Sequence, residues 1–223
     1  MTEKTQWRVP KLPREEWTDA SREVCAFWGE PNAWEEGSKT NIIMVMANHP
    51  DLGKVYNIWG KHFLINCSLP VREYEIIILR VAWHTKSEYE WHNHVGYALN
   101  LGMSLDEIAA IKTGPDAPNW DELDSNTIRA VDELMQTGDL TDATWAALSK
   151  HFDRKQMMDF IFTVGHYVMT SWAITAMRMP LEPYADQIGW DLKTASGKTP
   201  GKTYKPGETE DWADKRGYDN SAA

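Results

Sequence analysis

The sequence predicts an all-α fold, and three observations carry that prediction. Apolar residues recur at i, i+3, i+4 and i+7 along most of the chain, the spacing of one helical face. Two apolar stretches, residues 69–101 and 154–179, are too long to be strands. Two Ser-x-x-Glu boxes, Ser87 with Glu90 and Ser104 with Glu107, stand where such runs begin and can satisfy the orphan N–H donors of a helix start. No convincing pair of strands lies between them.

In chain order, residues 1–13 carry Pro10 and Pro13 among polar neighbours and read as a surface arm. Pro13 suits a first helical turn. Trp17, Ala20, Val24 and Phe27 then mark one face of a helix ending near Gly29. Residues 30–40 read as a loop. Thr40 or Asn41 caps a short helix through IIMVMA, which stops at His49-Pro50 because a residue before proline is pushed out of the helical region. The next helix, 51–66, carries Leu52, Val55, Tyr56, Trp59, Phe63 and Leu64 on one side.

Pro70 opens the central segment. Its run 76–79 has strand-like composition, but continues through Arg80-Val81-Ala82-Trp83 beyond strand length and reads as buried helix. A break at 85–87 restarts the helix, with Ser87 as N-cap and Glu90 at N3, and Gly102 ends it. The helix begun by Ser104 leads to a loop at 114–120. Helices follow over 121–136, stopped by Gly138, over 141–152, capped by Thr141, and over 154–179. From residue 188 the chain holds too few apolar side chains to bury a core. The predicted organisation is an arm, 1–13, a helical domain, 14–183, and an extended tail, 184–223, pinned by Trp190 and Trp212.

The 223 residues suit one domain plus a tail. A net charge of −10 without any basic run argues against nucleic acid or an anionic membrane as partner. Cys25 and Cys67 form neither a CxxC nor a zinc-type cluster, so a metal or redox role has little support and reduced thiols are expected. The N-terminus lacks an apolar signal core, and no apolar run reaches the ~18 residues that span a bilayer, so the expected location is the cytoplasm. Twelve tryptophans fit core packing, an aromatic-lined pocket or an oligomer interface.

Ser87, Glu90 and His94 fall at i, i+3 and i+7 and share one helical face. A carboxylate one turn from an imidazole between apolar turns can handle protons. Each also has a purely structural reading: Glu90 as half of a capping box, His94 as a satisfied core histidine. Arg80, five residues after Glu75, needs a partner if buried. That partner is Glu73, Glu75 or another helix, or else a substrate carboxylate. His84, beside Trp83, is within reach of the site across the helix break. His166, followed by Tyr167 in an apolar helix, is a candidate to line the same pocket. His92 is expected to be exposed or at an interface, His49 to serve a turn, and His62 and His151 to lie on the surface.

The order HPDL, Trp-rich helix, Leu-Pro, R-E-x-E with an aliphatic run, S-E-Y-E-W-x-x-H, GPDAPNW, DELDSNTIRAVDEL and a closing helix to MPLEP resembles the carboxymuconolactone decarboxylase / alkylhydroperoxidase-D superfamily over residues 8–183. The peroxidase-type motif of that superfamily, E-x(11)-C-x-x-C-x-x-x-H, falls on Glu75, Ser87, Glu90 and His94. Both thiols are therefore absent, and peroxide reduction needs a thiolate and a resolving partner. The resemblance implies the decarboxylase-like branch: a lyase of aromatic or cyclic compound catabolism that uses no metal and no organic cofactor. In it Glu90 and His94 transfer protons and Glu75 orients the imidazole. Candidate substrate-binding residues are Arg80, Trp83, His84, Ser87, His166 and Tyr167. The expected partner is a small-molecule substrate, and the expected assembly a homo-oligomer built on dimers or trimers. Three alternatives stay open. One is another proton-transfer reaction, such as isomerisation, hydration or C–C cleavage. Another is a peroxidase with relocated thiols, which needs Cys25 and Cys67 within disulfide range. The last is a non-catalytic member whose Glu75, Glu90 and His94 do not converge.

Overall fold

In the computed structural model of the chain, residues 6–182 and 188–192 are described. Ten helices run through them: α1 Asp19–Ala26, α2 Ala33–Glu36, α3 Asn41–Met46, α4 Pro50–Lys61, α5 Val71–Thr85, α6 Glu88–Asn100, α7 Leu105–Thr113, α8 Glu122–Thr137, α9 Asp142–Leu148 and α10 Arg154–Met177. No strand is present among the described residues. The β-branched run 76–79 is helical and wholly buried. Tertiary packing decides this, because α5 is enclosed by α6, α7, α8 and α10. Tyr74, Ile77, Ile78 and Val81 face Val131, Phe160 and Tyr167 on one side, while Ile76 and Leu79 face Trp91, Val95, Ile108 and Ile111 on the other. Each such aliphatic side chain contributes roughly 1.5–3 kcal/mol by leaving water.

Local chemistry sets the helix ends. Ser104 with Glu107 and Asp153 with Gln156 form complete capping boxes for α7 and α10, and Asp121 and Thr141 cap α8 and α9. Gly138 ends α8 in the left-handed region at φ 76°, and Lys86 ends α5 there at φ 56°.

Four expectations need correcting. The helix expected from Pro13 to Gly29 is broken. A 3₁₀ turn, Arg14–Glu16, stops at extended Trp17, and Thr18 starts α1 anew by exchanging cap bonds with Ser21. The expected 30–40 loop contains the one-turn helix α2. The 51–66 helix ends as α4 at Lys61 and continues as a wider π turn, His62–Asn66, while its expected inner residues Leu52 and Val55 face outward. Finally, α10 is long and apolar enough to cross a membrane by length and composition. Its inner face packs on α5, with Asp159, Thr163, His166 and Thr170 buried along it.

Both ends of the described chain dock on the helices. Arg8 N–H donates to the Met177 carbonyl at 2.9 Å, and Trp7 and Val9 pack against the cluster that holds Val24, Ile43 and Ile174. Ile188 N–H donates to His92 Nδ1 at 2.7 Å, and Trp190 packs on Trp83 and Trp91 with ring centroids 5.4 and 5.0 Å away. His92 is therefore buried rather than exposed, because the segment 188–192 covers it. Trp212 and the rest of the expected tail lie outside the described residues.

Glu73 on α5 is buried, and its Oε2 has no hydrogen-bond partner among the described residues. Burial is the largest cause that pushes its carboxyl up to about 7, and the Asp124 carboxylate adds to it against its own backbone N–H and Arg72. The folded state thus keeps this proton at pH values where the unfolded chain, near 4.5, has lost it. Stability is therefore expected to fall as pH rises from about 4.5 to 7. Glu73→Gln should raise the stability measured by urea melts at pH 8 by up to ~3 kcal/mol, and change little at pH 4. An unchanged or lowered stability at pH 8 would count against it.

Candidate active site

Helices α5 and α6 are joined by a two-residue turn and pack side by side, which brings Glu75 of α5 against His94 of α6. His94 Nδ1 and Glu75 Oε2 are 2.6 Å apart. On the other edge of the ring, His94 Nε2 lies 3.4 Å from Glu90 Oε2, one helical turn back. All three side chains are buried.

The break at 85–87 explains why Glu90 is free to do this. Ser87 Oγ accepts the Glu90 N–H in a long 3.5 Å bond, but Ser87 N–H donates to the Ala82 carbonyl instead of to the Glu90 carboxylate. Only half of the expected capping box forms. The left-handed Lys86 that closes α5 turns the chain so that the Ala82 carbonyl serves as that acceptor, and the Glu90 side chain turns inward to His94.

Burial alone would lower the His94 pKa, yet the carboxylates of Glu75 and Glu90 outweigh it and hold the ring above the ordinary histidine value. An imidazole gripped at both nitrogens by carboxylates can keep a proton near neutrality and pass it to either side.

The second imidazole nearby is His166, also buried, on α10. Its ring stacks on Phe63 at 4.4 Å between centroids and 8° between planes. Tyr167 stands edge-on to both histidines, 5.2 Å from His94 and 5.0 Å from His166, and its hydroxyl is 2.7 Å from that of Tyr74. Tyr56 and Trp59 complete the aromatic surround of His166, at 6.1 and 6.5 Å. Burial, and next the charge on His94, depress the His166 pKa to about 4, so this ring is neutral at physiological pH. Its Nδ1 is buried without a hydrogen-bond partner among the described residues.

The structure does not bring every sequence candidate here. Arg80 turns to α8, where Nε and Nη2 grip Asp132 at 2.6 and 2.8 Å and Nη1 donates to the Ile111 carbonyl at 2.6 Å. His84 Nε2 joins the same Asp132 at 2.6 Å. Trp83 packs against Trp190, with the Lys86 ammonium 3.4 Å above its ring. All three belong to the face of α5 that carries α7, α8 and the 188–192 segment. Ser87 stays beside the cluster as the α6 cap. His49 caps α4 by accepting the Leu52 N–H, and His62 is fixed by Asp159 at 2.8 Å. Cys25 and Cys67 are buried in separate core clusters and form no disulfide with each other, and burial pushes the Cys25 thiol up.

Phe63, Tyr56 and Trp59 were legible as one side of a helix but not as neighbours of a histidine about a hundred residues on. Their spacing of i, i+3 and i+7, matched by the lone His166 in an apolar helix, is the signal that pairs them.

The family model described as the Carboxymuconolactone decarboxylase family matches residues 50–133, which include Glu75, Ser87, Glu90 and His94. No curated protein sequence matches the chain. Among solved structures, an alkylhydroperoxidase core protein from Ralstonia eutropha is 12% identical with a TM-score of 0.65, over 79% of this chain and 93% of that one. A peroxidase-related protein from Silicibacter is 16% identical with a TM-score of 0.63, over 80% and 92%. A debrominase in complex with 2,3,4-tribromopyrrole is 15% identical with a TM-score of 0.57, over 78% and 91%. At these identities the likeness is one of fold.

Proposed function

Because the chain belongs to the carboxymuconolactone decarboxylase / alkylhydroperoxidase-D-like superfamily, whose members include enzymes, we propose that it is a cytoplasmic, cofactor-independent lyase acting by proton transfer on a ring-shaped small molecule of aromatic or cyclic compound catabolism. One observation carries the reading: His94 is held between two buried carboxylates at the motif position where Ser87 and Glu90 replace both thiols. In such a step a bond to the leaving group breaks and its electron pair stays on the ring as an enolate. The His94 imidazolium gives its proton to the carbon that lost the group. Where the departing group carries a hydroxyl, as a hydroxymethyl released as formaldehyde does, Glu90 takes the hydroxyl proton and passes it to His94. Where CO₂ departs from a carboxylate, His94 regains its proton from solvent. Glu75, deepest of the three, fixes the ring and stabilises its charge. Decarboxylation is one form of this chemistry, but Arg80 is not the anchor of a substrate carboxylate, since Asp132 already occupies its guanidinium. The relocated-thiol alternative has no support from Cys25 and Cys67, which sit in different parts of the core.

The test is a screen of muconolactone-type and lignin-type ring compounds for release of CO₂ or formaldehyde, with a His94→Gln protein as the blank. Turnover that the blank retains in full would overturn the reading.

We also propose that a second copy of the chain covers the outward face of α4 and α10. Val55, Ile58 and Trp172 there are 64, 65 and 63% exposed, beside Leu52, Met158 and Phe162. An apolar patch of this kind on a helical pair marks an interface. Light scattering is expected to report an oligomer that Phe162→Glu breaks into smaller species. A monomeric wild-type protein would count against it.

A further inference from the structure

We infer that His166 and the aromatic side chains around it form the ring-binding half of the site, and that this half takes an uncharged flat ring whose hydroxyl or carbonyl oxygen bonds to the imidazole. The inference rests on the proposed function only for placing the reacting atoms at His94.

The first support is an unmet need. His166 is 5% exposed, yet its Nδ1 has no hydrogen-bond partner among the described residues. A buried polar nitrogen left so is costly, and such groups find partners in protein, water or ligand. The second is shape. Phe63 lies parallel to the imidazole at 4.4 Å, and Tyr56 and Trp59 stand around it, while Trp59 is 39% exposed and so reaches the surface. Walls of this kind favour a planar ring by offset or edge contacts.

The third is continuity with the proton-transfer cluster. The Tyr167 ring touches both imidazoles, so a ring bound beside His166 lies within one side chain of His94. The fourth is charge. Two carboxyl side chains, Glu75 and Glu90, flank a single imidazole in the cluster, an acidic excess that disfavours an anion. His166, depressed to about 4, is neutral and offers a donor and an acceptor but no counter-charge. The cations on α5 are committed elsewhere, Arg80 to Asp132 and Arg72 to Asp124 and Glu107.

Phenol and benzoate separate the two charge classes on one ring. Titrated near pH 7.5 into the full-length protein and followed by calorimetry, phenol is expected to bind and benzoate to bind at least about tenfold more weakly. His166→Phe preserves a flat ring on Phe63 and removes the hydrogen bond, so it should weaken phenol by about tenfold. Should that variant fold poorly, the ¹⁵N resonances of the His166 ring in the wild-type protein are expected to shift as phenol is added. Benzoate binding as tightly as phenol, phenol binding unchanged in His166→Phe, or a silent His166 ring would each overturn the inference. None of these readouts involves turnover. Full activity in His94→Gln with phenol still bound at His166 would therefore sink the proton-transfer reading and leave this one standing.

Discussion

Replacing His94 by glutamine is expected to lower turnover about a thousandfold while the protein stays folded, because a positioned acid–base group contributes roughly 10²–10⁴ in rate. Glutamine still offers polar atoms between Glu75 and Glu90, so burial of the pair is not left wholly uncompensated. Glu90→Gln keeps shape and hydrogen bonding but cannot hold a transferable charge, and its expected loss is about a hundredfold. The pH dependence gives a second readout. The two carboxylates raise the His94 pKa above the ordinary histidine value of 6.5, so the alkaline limb of the rate profile should lie above that value. Glu90→Gln removes one of the carboxylates and should move the limb toward lower pH. Stability follows the same sign. The bound proton stabilises the fold fully below about 6.5, and this contribution is lost as pH rises through the folded value. Denaturant melts of wild-type protein should show that loss, and melts of His94→Gln should lack it. Unchanged rates in both variants would remove His94 and Glu90 from the chemistry.

Much of this was legible in the chain and the remainder fails for identifiable reasons. The helical reading of 76–79 survives because the segment continues past strand length. The caps at Ser104, Thr141 and Gly138 follow rules that act within four residues. Glu90 and His94 are also local, one turn apart. Glu75 is different: it meets His94 only because α5 and α6 fold back on each other, and the superfamily motif, rather than periodicity, singled it out. The Ser87 box misled in an instructive way, since a local rule predicts that Glu90 bonds backwards to Ser87. A competing acceptor, the Ala82 carbonyl, released it. The long-range partnerships were beyond local rules altogether. Asp132 lies 52 residues from Arg80, and Phe63 reaches His166 from a different helix. Outward Leu52 and Val55 were misplaced because an apolar stripe has the same period whether it faces a core or another molecule.

Arg80 separates a structural reading from a functional one with a large signal. Its side chain is 8% exposed and that of Asp132 16%, so the pair is largely screened from water. Asp132→Asn would leave a buried guanidinium, and the His84 ring beside it, facing a neutral amide. Removing one partner of such a pair costs about 3–5 kcal/mol, which at roughly 2–4 °C per kcal/mol for a chain of this length means a melting point lower by about 10 °C. The sign with pH is also fixed. Burial opposes ionisation of Asp132, but His84 and Arg80 outweigh it and hold its pKa below the usual range. Its contribution is thus present above the unfolded value and lost as pH falls through the folded one. Arg80→Met combined with Asp132→Leu removes both charges together, and most of the stability should return, because the penalty of a single change is the uncompensated charge. In that double variant KM for a substrate of the screen should match wild type, since the pair holds α5 to α8 and the Ile111 carbonyl rather than to a ligand. A KM raised tenfold or more in a well-folded double variant would return Arg80 to the binding site.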